Sequence, residues 1–79
     1  MKFSDKQRQA VIANIAKALR DTRVRKGLSM SAVAERAGLS QQMVSYVERQ
    51  MRMPTLDTLL RMSEALAINL SAIIRDAQD

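Results

Sequence analysis

Residues 29–49 read SMSAVAERAGLSQQMVSYVER. Ser29 precedes a short helix over Met30 to Ala37, because a serine hydroxyl at that position accepts a hydrogen bond from an otherwise orphaned N–H. Val33, Ala34 and Ala37 fall on one face of it. Gly38 ends the helix, since a tight turn there needs positive φ. Ser40 then caps a second helix, Gln41 to about Arg49, with Val44 and Val47 turned inward and Met43 at the boundary.

Two short helices joined by a glycine turn suggest a helix-turn-helix over residues 29–49. Counting Met30 as the first position, Ala34 falls at 5, Gly38 at 9, Val44 at 15 and Val47 at 18. A small side chain at 5 lets the helices cross closely, the glycine makes the turn, and the two valines pin the second helix to a core. The opposite face carries Gln42, Ser45, Tyr46 and Arg49 at i, i+3, i+4 and i+7, with Gln41 at the exposed N-terminal end. That face is polar and rich in amides.

The rest of the chain reads as helix too. Ser4 caps a first helix from Asp5 to Lys26, with Gly27 as the residue beyond its end. Ile12, Ile15, Ala16, Leu19 and Arg23 form one stripe, so the arginine at its end needs a half-buried partner. Thr55 caps a fourth helix whose apolar residues are Leu56, Leu59, Leu60, Met62, Ala65 and Leu66. Asn69 is read as the cap of a fifth over 69–77, with Leu70, Ile73, Ile74 and Ala77 on its apolar side. The expected fold is all-α with five helices, in a single domain spanning 1–79.

Composition narrows the function. With 79 residues and a mass of 8.9 kDa, the chain has room for one small core. It has no cysteine, so disulfides and thiolate zinc sites are excluded, and no metal site is expected. It has no histidine either, which removes the commonest general base and metal ligand. Asp57 and Glu64 lie seven apart on the fourth helix, but are expected to cap and to stay solvated rather than to catalyse. No enzyme activity and no cofactor are expected. Residues 1–8 lack an apolar signal core, and no stretch approaches 18 apolar residues, so no membrane span and a cytoplasmic location are expected.

The net charge of +5 points to a polyanionic partner. The charge is uneven. Residues 1–53 carry eleven Lys and Arg against four acids, a net +7, while residues 54–79 carry two Arg against four acids, a net −2. Lys17, Arg20, Arg25 and Lys26 are read as a solvated face that adds long-range attraction.

Residues 19–74, LRDTRVRKGLSMSAVAERAGLSQQMVSYVERQMRMPTLDTLLRMSEALAINLSAII, resemble the Cro/C1-type, or XRE-like, helix-turn-helix family of bacterial and phage regulators. The resemblance implies a five-helix lambda-repressor-like DNA-binding domain whose third helix enters the major groove. Positions matching base contacts are Gln41, Gln42, Met43 and Tyr46, and those matching phosphate contacts are Ser40 and Arg49. Ser45 and Arg52, on and beside the same helix, join the phosphate set. Arg23 and Glu48 match a semi-buried ion pair, which accounts for the arginine on the apolar stripe. The implied function is a sequence-specific regulator of transcription, a repressor or autoregulator. It would act as a homodimer on a near-palindromic duplex, in the cytoplasm and on the nucleoid.

Leu70, Ile73, Ile74 and Ala77 are read as the dimer interface, because so small a domain need not bury them all itself. The first helix extends about two turns beyond the usual family start, over 4–12 and back to Phe3, to join that interface or to cap the core.

Five positions depart from the family pattern. Met30 replaces a phosphate-clamping glutamine, Gln50 and Ala67 replace glycines, and Met51 and Met53 replace frequent lysines. A left-handed Gln50 costs roughly 1–2 kcal/mol, so the loop after the recognition helix is expected to rearrange. Met43, Met51 and Met53 are expected to fill gaps beneath that loop, or Met43 to touch a thymine methyl. These departures keep open a second reading, a protein-interaction module or antitoxin component whose main partner is another protein.

Overall fold

The structure, a computed structural model, describes residues 4–79. Phe3, read as part of the N-terminal extension, lies outside the described residues. Among the described residues there are five α-helices: α1 Asp5–Arg25, α2 Met30–Ala37, α3 Gln41–Glu48, α4 Leu56–Ala65 and α5 Leu70–Gln78.

Hydroxyl caps start the first four. Ser4 and Gln7 form a reciprocal capping box on α1, and Ser29, Ser40 and Thr55 each accept from the backbone N–H three residues on. Asn69 occupies the cap position of α5 but makes no side-chain cap bond.

The first four helices end alike. The amides of Leu28, Leu39, Met51 and Ile68 each reach back five residues to a carbonyl, and the residue before each has positive φ. Two of those residues are Gly27 and Gly38, both at φ 69°. The other two are Gln50 at 58° and Ala67 at 55°. The loop after α3 therefore does not rearrange to relieve Gln50. The amide of Gln50 reaches the Val47 carbonyl, and the Met51 amide reaches that of Tyr46 at 2.9 Å, so the hydrogen-bonded turn outweighs the strain. Ala67→Gly should accordingly raise stability by about 0.5–1 kcal/mol, the relief of the left-handed backbone less the added flexibility of glycine when unfolded. Thermal melting checks it, and an unchanged or lower midpoint would show that residue 67 carries no strain.

The core is built on Leu19, Val33, Val44, Met62 and Leu66, all fully buried. α4 corrects the sequence expectation. Leu56 and Leu60 are 65% and 43% exposed, while Thr58 and Ser63 are buried. The two hydroxyls are satisfied locally, Ser63 donating to the Leu60 carbonyl and Thr58 accepting from the Thr55 hydroxyl. α5 lies along α1, and Asn14 donates to the Ala77 carbonyl at 3.1 Å, capping the last turn from across the interface.

Candidate nucleic-acid interface

α3 is held from below and from one end. Val44 and Val47 sit in the core, so the helix cannot roll. At its C-terminal end Glu48 is buried, its side chain 1% exposed, and faces Arg23 of α1, whose side chain is 12% exposed. The contact is bidentate: Nε donates to Oε2 at 2.7 Å and Nη2 to Oε1 at 2.9 Å. The remaining terminal nitrogen, Nη1, donates to the Leu28 carbonyl at 2.9 Å. One arginine thus ties the end of α1, the start of α2 and the end of α3 together. The Glu48 hydrogen bond holds the guanidinium pKa above its ordinary value, against the opposing effect of burial.

The outward face is what those anchors leave. Gln41, Gln42, Arg49 and Ser40 are exposed, and Met43, Ser45 and Tyr46 are half-buried. Ser40 uses its oxygen to cap α3, accepting from Met43 N–H at 3.0 Å, and its O–H remains free to donate. Gln42 Nε2 donates to the Tyr46 hydroxyl, one turn on. The Arg52 guanidinium lies 5.0 Å from the centroid of the Tyr46 ring, within cation–π range. Between Ser40 and Arg52 the single acid is Glu48, and Arg23 neutralises it. The face is therefore positive and carries several polar donors.

Residues 19–73 match the helix-turn-helix family. The chain belongs to the Cro/C1-type branch of that family. It is a DNA-binding transcriptional regulator by family, not an enzyme. An uncharacterized HTH-type transcriptional regulator of Sinorhizobium fredii is 39% identical over 62 residues, covering 78% of this chain and 75% of the relative. Among solved structures, the restriction-modification controller protein C.AhdI of Aeromonas hydrophila superposes with a TM-score of 0.74 at 32% identity, covering 78% of this chain and 94% of the controller. A hypothetical transcription factor of Neisseria gives 0.75 at 32% identity, covering 84% and 74%.

Within this Cro/C1-type domain, the residues read from sequence do not all share one place. The base-contact and phosphate-contact candidates gather on and beside α3. Met51 and Met53 are exposed rather than packed beneath the loop, while Met43 is half-buried against the core. Leu70, Ile73 and Ala77, read as dimer residues, are buried within the chain, and only Ile74 of that set is half-exposed. Lys26 is not a free surface charge: its ammonium donates to the Leu66 carbonyl at the end of α4. Lys17 pairs with Asp21 at 2.8 Å. Asp57 is exposed and pairs with Arg61, one turn on, and Glu64 is exposed.

Sequence reasoning missed Ser31. Its hydroxyl donates to Gln41 Oε1 at 2.8 Å and orients that amide from α2. The glycine turn brings the N-terminal ends of α2 and α3 together, so a short polar residue at the second position of α2 was the available signal.

Proposed function

We propose that the chain is a sequence-specific regulator that binds double-stranded DNA as a homodimer, repressing a target operon or its own. The observation that carries this is the outward face of α3. Two adjacent glutamine amides stand at its exposed end beside Ser45, Arg49 and Arg52, on a helix fixed by Val44, Val47 and the Arg23–Glu48 pair. Gln41, Gln42, Met43 and Tyr46 read base edges, while Ser40, Ser45, Arg49 and Arg52 hold phosphates and set register. Two copies place their recognition helices in successive major grooves, about 34 Å apart, on a near-palindromic site. Half-exposed Ile74 and exposed Leu56 and Leu60 are apolar side chains available to the second copy. No helix among the described residues is long and apolar enough to cross a membrane, which fits action in the cytoplasm on nucleoid DNA.

Selection from a random duplex pool at near-physiological salt tests the reading. The expected product is an inverted repeat with half-sites about 10 bp apart, bound more weakly as salt rises because counterions leave the duplex. A folded protein that enriches no sequence would sink it. The exposed Met51 and Met53 favour one second reading, a module whose main partner is another protein. Sequence-blind, weak duplex binding together with a stable heteromeric complex would select that alternative.

A further inference from the structure

The N-terminal turns of α1, residues 5–18, precede the span that matches the family. Together with the loop after α3 they enclose a cleft of about 320 Å³. Its apolar walls include Ile12 and Ile15 of α1, Val47 of α3, Met53 of the loop and Leu59 of α4. Among the described residues, the polar ones that line it are Gln9, Gln50 and Arg52. The volume is at the lower end of the roughly 300–1,000 Å³ typical of small-molecule sites.

Two features select the chemistry of an occupant. Among the described residues no carboxylate lines the cleft, and Arg52 is the single charged group. Arg52 makes no ion pair among the described residues, and its guanidinium rests over the Tyr46 ring. A cation-over-ring contact at an exposed site is weak compared with a bidentate carboxylate, so this guanidinium is free to change partner. Residues 1–53 carry a net +7, which disfavours a cationic occupant, and a neutral one gains less from Arg52 than a carboxylate does.

We propose that the cleft between the N-terminal turns of α1 and the Gln50–Pro54 loop binds a small amphipathic anion, with its apolar body between α1 and α4 and its carboxylate on Arg52. The amides of Gln9 and Gln50 supply further donors. When the carboxylate engages, Arg52 leaves the Tyr46 ring, so occupancy is registered on the outward face of α3.

The test uses the whole chain with octanoate as probe and octanol as its uncharged control, followed by amide and Tyr46 ring resonances in NMR titrations. Octanoate is expected to shift Ile12, Ile15, Met53 and the Tyr46 ring saturably. Arg52→Gln should weaken octanoate at least tenfold and leave octanol unchanged, and Arg52→Lys should restore most of the loss. Ile12→Trp, which fills the cleft, should abolish both. Should Ile12→Trp unfold, Met53→Glu carries the same test, because an acid on that exposed side chain repels the anion at least tenfold without touching the core. Four outcomes overturn the proposal: no saturable shifts, shifts confined to other residues, Arg52→Gln binding octanoate as tightly as the native chain, or binding that vanishes as the protein is concentrated tenfold. The last would mean that a second copy fills the cleft.

Discussion

Glu48→Ala is expected to cost about 3–5 kcal/mol of folding stability. A chain of 79 residues has about 4–12 kcal/mol in total, so the variant sits at the edge of folding. The cause is less the lost attraction than the charge left behind. Arg23 is held in the interior at three points, two on Glu48 and one on the Leu28 carbonyl. Removing the carboxylate strands a guanidinium that cannot be deprotonated at any working pH. The sign of the linkage agrees: a cation whose folded pKa is raised contributes stability below its unfolded pKa and loses it only as pH rises through the folded value. The deficit should therefore persist across neutral pH. Thermal melting should show a fall of more than about 12 °C for a domain of this size. Replacing both partners, Arg23→Met with Glu48→Leu, should recover most of it, because an apolar pair of similar volume strands nothing. A single variant within about 1 kcal/mol of the native chain would show that the pair behaves as a solvated surface bridge instead.

That pair was legible in two steps: an arginine on an apolar stripe called for a partner, and the family resemblance implied that the partner is Glu48. The caps were legible for a similar reason: Ser29, Gly38 and Ser40 are punctuation whose chemistry is local. What escaped depended on contacts that periodicity does not show, some local and some far off in the chain. α4 offers Leu56, Leu59, Leu60, Met62 and Leu66, more leucine-like positions than one face holds, and periodicity alone does not say which lose. Leu56 and Leu60 lose because Thr58 and Ser63 satisfy their hydroxyls within the helix and can turn inward. Leu70, Ile73 and Ala77 looked surplus to so small a core, but α1 lies along α5 and covers them. The φ of Gln50 taken alone points the wrong way, because the left-handed turn makes two hydrogen bonds that offset its strain. The proposed base-reading residues are a different matter. Their exposure follows from Val44 and Val47, which the sequence showed, whereas the orientation of the Gln41 amide depends on Ser31, which it did not.

Replacing Gln41 and Gln42 together by alanine should collapse discrimination between sequences while leaving general duplex affinity almost intact. A glutamine amide that pairs two hydrogen bonds with an adenine edge contributes about 1–3 kcal/mol of discrimination, and two such contacts in each of two half-sites compound. The neighbouring arginines should behave in the opposite way. Arg49→Gln and Arg52→Gln each remove a charge that, on the proposed reading, faces phosphate regardless of sequence. Each should weaken binding to every duplex by a similar factor and lower the slope of affinity against salt by about one per half-site. The contrast separates proposed readers on α3 from proposed anchors just beyond its end, and it does not depend on stability, because all four side chains are exposed. Ser31→Ala should resemble a weakened Gln41→Ala, since it frees that amide to rotate without removing it. Affinities for the selected duplex and for a scrambled one, each over a salt series, provide the measurement. A uniform loss on removing the glutamines, with the preferred sequence still preferred, would move base reading off the N-terminal end of α3.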